Sequence, residues 1–498
     1  MKAQKVNGVI VIFGATGDLT KRKLIPALYR LFATDRITHR NPIICVGRRQ
    51  LDKNEFMPHL EMTSFIKNPD AQKMENFTQI VHYYSFDFSK LECELKGNCH
   101  LCGRLKDYIS EVENKFDTGG NRIFYLATPP SFFESIGQFL KGCRLTGSGR
   151  GFERIAFEKP FGQDLSSARK LNRSLTRWFD ESKIYRIDHY LGKALVQDIL
   201  VFRFSNMLFE QIWNNRHVDN VQISVAESGG IGERASYYDQ AGAIRDMLQN
   251  HMMEIFALVA MEMPSSFTAD AIRDEKARVI KKLLKPMQSE IVTGQYRKTE
   301  MDGKTVAGYR DEKNIRKNSS TETYVAIKAM IQNSRWHGVP FYLRTGKSLR
   351  KSFAEVNIQL KDVSSRLFSR IEKGKIRNNL IKIRIQPDTG ISVTFNVKLP
   401  GSTVDITPVA MDFCHHCLFA ANTPEAYEAI FMAILRGDQT MFTRWDGVEA
   451  SWKYIDRVID LASKKKLSFY NVGSHGPSNA EKLPGSDGRR WINDSFFS

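Results

Sequence analysis

Residues 7 to about 185 alternate short apolar strands with helices, and this alternation restricts the possible folds more than any other feature. The strand candidates are Val9–Phe13, Ile43–Val46, Tyr83–Phe88, Arg122–Ala127 and Arg154–Phe157. Apolar residues at helical spacing lie between them, for example in Lys23–Phe32 and Ser131–Leu140. The alternation predicts a parallel sheet covered by helices on both faces, with a ligand at the carboxyl ends of the strands.

A loop with two glycines, Gly14-Ala-Thr-Gly-Asp-Leu-Thr20, follows the first strand. It is a loose relative of the G-x-G-x-x-G fingerprint, which by itself is a weak signal. A strand-to-helix turn of this kind can place a pyrophosphate on the N-terminal end of the helix. The alternative interpretation is a tight turn without a ligand.

The end of the second strand bears on the choice between NAD and NADP. An NAD enzyme usually has an acidic residue there for the ribose hydroxyl, whereas a 2′-phosphate requires arginine. The chain has Cys45-Val-Gly-Arg-Arg-Gln50, with two arginines and no acid. Because a guanidinium can bind a phosphate through two hydrogen bonds, this end of the strand predicts NADP.

After about residue 185 the pattern changes to runs of strands and runs of helices. The strand candidates are Val218–Ser228, Thr321–Ile331, Pro340–Arg344, Ala354–Leu360, Leu380–Gln386 and Ile391–Val397. The helix candidates are Ala241–Glu262, Asp270–Leu284, Pro424–Arg436 and Asp446–Ala462. This order predicts an α+β domain with a large, mainly antiparallel sheet. We therefore expect a Rossmann-like α/β domain over residues 1–185 and an α+β domain over residues 186–498.

The octapeptide Arg186-Ile-Asp-His-Tyr-Leu-Gly-Lys193 lies between a strand-like stretch, Lys183–Ile187, and a helix-like one, Ala194–Phe204. An imidazole, a phenol and an ammonium at a strand-to-helix corner could hold a dianionic phosphate, because backbone N–H groups and the helix dipole favour an anion there. The alternative is a charged surface turn.

A polar cluster, Arg245-Asp-Met-Leu-Gln-Asn-His251, lies inside an otherwise apolar helix. Burying such groups without partners costs several kcal/mol, so they require hydrogen-bond partners or a function. For His251 alone, a hydrogen-bonded core residue is an open alternative to a catalytic one.

Five motifs together resemble the glucose-6-phosphate dehydrogenase family. They are Gly14-x-x-Gly-Asp-Leu19, Glu158-Lys-Pro-Phe-Gly162, the octapeptide, Arg245-Asp-x-x-Gln-Asn-His251 and Pro340-Phe-Tyr-Leu-Arg-Thr-Gly-Lys347. They occur in the family's order, and the resemblance extends from about Val9 to Tyr454. It implies oxidation of glucose 6-phosphate to the lactone with NADP, the first step of the oxidative pentose phosphate pathway, in a cytoplasmic homodimer or homotetramer. A related dehydrogenase with another hexose or hexose phosphate as its substrate is the alternative.

The resemblance also implies a role for individual residues. His251 would be the general base, and Asp188 would orient its imidazole. The implied substrate contacts are Lys159, His189, Tyr190, Lys193, Glu227, Asp246 and Lys347. The implied cofactor contacts are Gly14, Ala15, Thr16, Gly17, Asp18, Leu19, Arg48, Asp87, Phe88 and Lys159. Many relatives have a second basic residue where this chain has Ser352, so that contact is not carried over.

Little regular structure is predicted for two segments of the chain. Residues 89–120 are expected to form an irregular insertion with Cys93, Cys99 and Cys102 as free thiols. The last thirty or so residues, including Asn471–Gly488, are rich in Gly, Ser and Pro and are expected to lie on the surface as a tail. Cys99-x-x-Cys102 has no second ligand pair at zinc-site spacing. Cys414-His-His-Cys417 lies in an alternating strand-like stretch, where neighbouring side chains point to opposite faces, so no metal is assigned.

The formal net charge of +18 raises the question of nucleic-acid binding. Lys and Arg are spread along the whole chain without a recognisable nucleic-acid motif, so sites for small anions are the preferred explanation. Val9–Ala15, the longest N-terminal apolar run, is too short to span a membrane. Seven cysteines in 498 residues do not suggest a disulfide scaffold and favour a reducing cytoplasm.

Overall fold

The computed structural model describes residues 5–66, 68–88, 100–147, 149, 151–232, 235–301, 303–362, 376–401, 405–414 and 425–493. They belong to two compact units. The first comprises residues 1–192, 266–273 and 424–449, and the second comprises residues 193–265, 274–423 and 450–498. Both units contain segments that are distant in sequence. The predicted domain boundary at residue 185 stays a prediction.

The first unit contains a parallel sheet of six strands. They are β1 (Val9–Phe13), β2 (Ile43–Gly47), β3 (Val81–Ser85), β4 (Arg122–Leu126), β5 (Glu153–Phe157) and β6 (Ile184–Arg186). The strand order is β3-β2-β1-β4-β5-β6, the order of a dinucleotide-binding fold. Every residue of β1, β2 and β4 is buried, as expected for strands covered on both faces. The predicted Rossmann-like sheet is confirmed.

The second unit contains a mixed sheet of nine strands. They are β7 (Val218–Ala226), β8 (Ile291–Arg297), β11 (Tyr324–Ala329), β12 (Phe341–Gly346), β13 (Phe353–Leu360), β14 (Leu380–Gln386), β15 (Gly390–Lys398), β16 (Ile406–Cys414) and β17 (Ser468–Asn471). Their order is β16-β15-β14-β13-β7-β12-β11-β8-β17. Only the pairs β7–β12 and β8–β17 are parallel, so the predicted, mainly antiparallel sheet is confirmed. A separate hairpin contains β9 (Thr299–Met301) and β10 (Lys304–Val306).

The α-helices are mostly amphipathic. They are Ile25–Ala33, Lys53–His59, Met62–Phe65, Ala71–Ile80, His100–Phe116, Phe133–Gly142, Leu165–Thr176, Ala194–Phe204, Met207–Glu210, Ala235–Ala243, Met253–Ala260, Ala269–Lys281, Ala426–Arg436, Trp445–Ser463 and Lys482–Gly485. Two stretches are π-helical, Thr20–Leu24 and Ile244–Met252. Within the described residues, every helix is too short or too polar to cross a lipid bilayer.

Three expectations about secondary structure were wrong. Most of the supposed irregular insertion is the helix His100–Phe116, which buries Leu105, Ile109 and Val112. Strand β3 ends at Ser85, so Asp87 and Phe88 follow it as part of a loop. The helix predicted over 241–262 begins only after Gly242, whose backbone is non-helical, and its first part, Ile244–Met252, has π-helical hydrogen bonding.

The C-terminal segment is not a surface tail. Its strand β17 pairs with β8, and Tyr470, Trp491 and Ile492 are almost completely buried. The Trp491 ring lies under the guanidinium of Arg344, 4.3 Å from the ring centroid. A segment rich in Gly, Ser and Pro therefore contributes aromatic side chains to the core of the second unit.

The cysteines are only partly described. Cys45 is free and buried, whereas Cys143 and Cys414 take part in disulfide bonds. Cys93, Cys99 and Cys417 lie outside the described residues, so the assignments made for the two Cys-containing motifs stay predictions.

Candidate active site

Gly14 is required by the path of the chain after β1. Its φ is +96°, and a Cβ atom at this position would collide with the carbonyl oxygen of Ala127 at the end of β4. Its carbonyl accepts hydrogen bonds from the backbone N–H of Gly17 (3.0 Å) and from the hydroxyl of Thr20 (3.0 Å). The loop is therefore closed on itself, directly before a helix.

The residues predicted to bind the cofactor converge at the carboxyl ends of β1, β2 and β3. The N–H groups of Gly14 and Ala15 both donate to the carbonyl of Val46 at 3.0 Å, which joins the glycine loop to the end of β2. The next residues, Arg48 and Arg49, are exposed. This is the edge where the strand order reverses, between β1 and β4, and where ligands bind in such sheets.

The remaining cofactor candidates surround the same edge. Phe86 donates its N–H to the carbonyl of Gly47 (2.8 Å), which draws the segment with Asp87 and Phe88 towards β2. The Phe88 ring packs edge-on against Phe13. Asp18 is exposed and forms an ion pair with Arg22 (2.5 Å).

Lys159 follows β5. The preceding residue, Glu158, has a carboxylate that is hydrogen-bonded within the first unit. The hydroxyl of Tyr125 donates to Glu158 at 2.6 Å. Burial raises the pKa of Glu158, and the hydrogen bonds from Tyr125 and Tyr427 and the charge of Lys159 oppose that rise. The backbone before Lys159 is thereby anchored from two sides.

Arg186, the first residue of the octapeptide, has a structural role. Arg186 is buried and bonds Asn172 (2.7 Å) and both carboxylate oxygens of Glu181, so it is committed to the fold. Asp188 is 5% exposed, and its carboxylate accepts the N–H of Tyr190 at 2.9 Å. His189 is half-buried and lies parallel to the ring of Tyr427, with the centroids 6.4 Å apart.

Gly192 is required by close packing rather than by an unusual φ. A Cβ atom there would lie 2.6 Å from the carbonyl oxygen of Ala426, at the start of the helix Ala426–Arg436. That helix also carries Tyr427. Sequence reasoning did not connect this late helix with the octapeptide, because the two are more than 200 residues apart.

Lys193 is the N-cap residue of the helix Ala194–Phe204, as predicted for a strand-to-helix corner. Its ammonium contacts the side-chain oxygen of Gln386 at the end of β14. Gln386 was missed by sequence reasoning, although it is the last residue of a strand that was correctly predicted. An amide next to the ammonium adds a second polar group to the corner.

Glu227 and Lys347 form an ion pair. They follow the neighbouring parallel strands β7 and β12, and the Lys347 ammonium contacts a Glu227 carboxylate oxygen. The N–H of Glu227 donates to the carbonyl of Gly346 at 3.0 Å. Ser352, where a second basic residue was considered, instead accepts the N–H of Ser228 at 2.8 Å.

Asp246 and His251 lie on the π-helix Ile244–Met252, and both are almost completely buried. In an α-helix, residues five positions apart point about 140° away from each other. A π-helix, which has i→i+5 hydrogen bonds, contains more residues per turn than an α-helix. Residues five positions apart therefore point in more similar directions in a π-helix. The π conformation therefore brings the carboxylate and the imidazole nearer to one side of the helix.

The start of the π-helix is anchored by Glu322. Its carboxylate accepts the N–H of Ile244 (3.0 Å), and its carbonyl accepts the N–H of Ala243 (2.9 Å). Gly242 has a φ of +65°, and a Cβ atom there would collide with the Glu322 carboxylate. Burial raises the pKa of Glu322.

Tyr238 is a further residue that sequence reasoning missed. It is 2% exposed, and the Lys347 ammonium lies 5.6 Å from its ring centroid. Burial raises the pKa of its hydroxyl, and the nearby carboxylates of Asp246 and Glu227 raise it further. Tyr238 therefore lies close to three predicted substrate residues of the second unit.

Within each unit, the structure brings part of the predicted site together. The cofactor candidates lie at one edge of the parallel sheet, and Glu227 and Lys347 lie side by side. Asp188 belongs to the first unit and His251 to the second, so their pairing, like the individual roles of the site residues, stays a prediction.

Two family models together match nearly the whole chain. Residues 11–198 match the model of the glucose-6-phosphate dehydrogenase NAD binding domain, and residues 200–492 match that of its C-terminal domain. The chain is 41% identical to a glucose-6-phosphate 1-dehydrogenase of Bacillus subtilis, over 98% of this chain and 99% of that one. It is also 41% identical to the enzyme of Chlamydia pneumoniae, over 97% and 95% of the two chains.

Solved structures agree with these relatives. A glucose-6-phosphate dehydrogenase in complex with its substrate glucose 6-phosphate is 33% identical, with a TM-score of 0.89 over 99% of this chain and 100% of that one. A glucose-6-phosphate 1-dehydrogenase from Mycobacterium avium is 32% identical, with a TM-score of 0.81 over 98% and 99% of the chains. On this similarity in sequence and fold, the chain belongs to the glucose-6-phosphate dehydrogenase family.

Proposed function

We propose that this chain oxidises glucose 6-phosphate to 6-phosphogluconolactone and transfers the hydride to NADP, the first step of the oxidative pentose phosphate pathway. The observation that carries this proposal is the similarity, over 99% of the chain, to a dehydrogenase solved with glucose 6-phosphate. The family model of the cofactor domain covers the parallel sheet, and the second model covers the nine-stranded sheet.

The first unit fits a dinucleotide phosphate. Gly14 leaves space where a side chain would otherwise meet Ala127, and a helix begins directly after the loop. Arg48 is exposed at the end of β2, where it can bind the 2′-phosphate with two hydrogen bonds. NADP, when bound, supplies the hydride acceptor.

The sugar phosphate would be held by residues of the octapeptide and of the second unit. His189, Tyr190 and Lys193 offer an imidazole, a phenol and an ammonium to the phosphate. The predicted ring contacts are Lys159, Glu227, Asp246 and Lys347. Because Lys347 is already paired with Glu227, a sugar hydroxyl entering there would meet an acceptor and a donor at the same place.

His251 would take the proton of the hydroxyl as the hydride leaves the same carbon. Imidazole is the side chain most often used as a general acid or base near neutral pH. Asp188 would accept the other N–H of that ring, which sets its tautomer and stabilises the imidazolium that forms. The N–H of Tyr190 already holds one Asp188 oxygen in place (2.9 Å).

The absorbance of reduced nicotinamide tests the activity directly. We expect reduction of NADP with glucose 6-phosphate and much slower reduction with NAD or with free glucose, since the phosphate contacts are lost in each case. A preference for another hexose or hexose phosphate would favour a related dehydrogenase. No reduction with any sugar phosphate would overturn the proposal.

His251→Ala tests the proton acceptor. We expect turnover to fall by about 10²–10⁴-fold, the usual contribution of a general base, with NADP affinity largely kept. His337→Ala is the matched control, because His337 is exposed outside the predicted site. Normal turnover of the His251 variant would show that the base is a different group.

We also propose that the chain forms a homo-oligomer through the outer strands of its nine-stranded sheet. Exposed apolar side chains lie on β15 and β16, namely Phe395, Val397, Val409, Met411 and Phe413. Phe395 is directly opposite Val409, and Val393 opposite Met411, so the hairpin presents one continuous apolar face. A second copy of the chain is its proposed occupant, as the family resemblance implies.

Light scattering after size-exclusion chromatography tests the oligomer. Met411→Lys should shift the protein towards the monomer, because Met411 is 67% exposed on the proposed face. Met263→Lys, a change of an exposed methionine outside the hairpin, is the control. A monomeric unmodified protein would contradict the proposal.

We propose a cytoplasmic location from the small number of cysteines and from the need for a soluble sugar phosphate. The disulfide bonds at Cys143 and Cys414 weigh against it, since cytoplasmic thiols are generally kept reduced. Cell fractionation with thiol trapping decides the point. Recovery of the protein outside the cytoplasm would overturn this part of the proposal.

A further inference from the structure

The position of the Lys347 ammonium depends on a short loop. Lys347 is the first residue after β12, and the loop continues through Ser348, which has a left-handed φ of +53°, to Leu349 and Arg350. Lys347 is 9% exposed as a residue, and its ammonium contacts Glu227 and the face of Tyr238. Whatever holds the backbone of this loop also determines where the charge lies.

The hydroxyl of Tyr470 binds the loop at Lys347. It donates to the carbonyl of Lys347 at 2.7 Å and shares a hydrogen bond with the hydroxyl of Thr323 at 2.8 Å. The N–H of Lys347 donates to the carbonyl of Thr323 at 2.9 Å. The backbone N–H of Lys347 is therefore hydrogen-bonded to Thr323, and its backbone carbonyl to Tyr470.

The residues after Tyr470 bind the rest of the loop. Gly473 donates its N–H to the carbonyl of Ser348 at 2.9 Å, and Arg350 donates its N–H to the carbonyl of Ser474 at 2.9 Å. The C-terminal segment thus contacts three of the four residues from 347 to 350 through directed hydrogen bonds.

We infer that Tyr470 is a positioning residue for Lys347, whose hydroxyl holds the lysine backbone so that the ammonium stays against Glu227 and Tyr238. The inference rests on the proposed function, in which Lys347 contacts the sugar phosphate. Tyr470 itself would touch neither substrate nor cofactor, and it acts only through Lys347.

The surroundings of the hydroxyl support a positioning role. Tyr470 is 3% exposed, and its ring packs edge-on against Tyr296 and Tyr324. A phenylalanine would keep these ring contacts but leave the Lys347 carbonyl without this donor in a place from which water is largely excluded. The Lys347 backbone would then be held less firmly at its carbonyl, while the ring and the other backbone hydrogen bonds of the loop stay in place.

Steady-state kinetics of Tyr470→Phe test the inference. We expect the KM for glucose 6-phosphate to rise about three- to tenfold, the equivalent of one net hydrogen bond, while the KM for NADP stays unchanged. Tyr454→Phe is the matched control, because Tyr454 is also buried but its hydroxyl has no hydrogen-bond partner among the described residues. An unchanged KM for the sugar phosphate in Tyr470→Phe would overturn the inference.

A double-mutant cycle separates this inference from the proposed function. If Tyr470 acts through Lys347, adding Tyr470→Phe to Lys347→Ala should raise the KM for glucose 6-phosphate no further. A multiplied effect would overturn the positioning role but leave the substrate role of Lys347 intact. An unchanged KM in Lys347→Ala alone would overturn both.

Thr323→Val provides a second route if Tyr470→Phe does not fold. It removes the hydroxyl that orients Tyr470 and that also accepts the N–H of Tyr296 (3.1 Å), and it keeps the shape of the side chain and the backbone carbonyl that binds Lys347. We expect the same selective rise in the KM for glucose 6-phosphate. Equal rises in the KM values for the sugar phosphate and NADP would indicate general loss of structure and overturn the inference.

Discussion

The glycine loop of the first unit, residues 14–19, and the π-helix of the second, residues 244–252, both present polar groups where a helix begins, yet they are held in different ways. The loop is held by Gly14, Thr20 and the adjacent strand end at Val46. The π-helix is anchored by Glu322, 78 residues later in the chain. Both stretches carry a local sequence motif, but the residue that anchors the π-helix, Glu322, lies far outside that motif and cannot be identified from it.

Gly14→Ala should produce the largest effect, because it disrupts the glycine loop of the first unit. The left-handed φ and the collision with Ala127 together should cost about 2–6 kcal/mol of unfolding free energy and abolish NADP binding. Denaturant unfolding and a fluorescence titration with NADP measure the two effects. Gly447→Ala is the control with the opposite sign, because Gly447 lies in a helix with no atom near the new methyl group and should stabilise by about 0.5–1 kcal/mol.

Glu322→Ala addresses the distant anchor of the π-helix. It leaves the N–H of Ile244 without its acceptor, which should cost about 1–3 kcal/mol and lower kcat/KM, because Asp246 and His251 lie on this helix. Glu322→Gln keeps an acceptor oxygen and should lose less on both measures. Equal losses in the two variants would show that the hydrogen bond to Ile244 is not what anchors the helix.

Arg48→Gln tests whether Arg48 binds the 2′-phosphate of NADP at the end of β2. Loss of a charge-assisted contact should raise the KM for NADP by about 10–100-fold while leaving the KM for NAD nearly constant. Arg49→Gln, a change at the adjacent exposed arginine, is the matched control. If only the Arg49 variant loses NADP selectivity, the 2′-phosphate contact belongs to that residue instead.

The effect expected to be smallest at neutral pH concerns the pH dependence of the stability of the first unit. Burial lowers the pKa of His82 to about 4, and the charges of Lys53 and Lys115 contribute. The unfolded chain binds this proton near pH 6.5 and the folded chain only near 4, so stability contributed by His82 is present above pH 6.5 and is lost as the pH falls from 6.5 to 4.

Thermal unfolding midpoints between pH 4 and 7 measure this dependence. In His82→Phe, which keeps an aromatic ring beside Tyr108 and Phe116, the decline with falling pH should be smaller than in the unmodified protein. Parallel curves for the two proteins would mean that other groups account for the decline.

Elements with complete burial or a local capping signal were predictable. The runs Val9–Phe13 and Leu380–Gln386 form strands with the predicted bounds, because every side chain or nearly every one is buried. Asp164, a residue type that commonly caps helices, accepts the N–H of Ser167 at 2.7 Å at the start of the helix Leu165–Thr176. In each case the decisive interactions lie within a few residues of one another or follow from burial alone.

Elements that depend on distant partners were not predictable. Strand β8, Ile291–Arg297, was missed because its buried polar residue Gln295 is satisfied by the carbonyls of Ser319 and Thr321. The π-helical part of the helix with His251 was not predicted, because apolar periodicity indicates a helix but does not reveal i→i+5 hydrogen bonding. Tyr427 and Gln386 could not be placed next to the octapeptide residues without the fold that connects them.

The sequence alone was enough to predict the two kinds of sheet, the glycine loop, the arginines that favour NADP and the family motifs. These features are predictable because hydrophobic periodicity and short motifs are local properties of the chain. Only the tertiary structure decided that the C-terminal segment contributes Tyr470, Trp491 and Ile492 to the core, that the stretch with His251 is π-helical and that Tyr470 binds Lys347. Those features depend on which distant backbone and side-chain groups satisfy each other after burial, and that pairing is determined by packing rather than by any one stretch of residues.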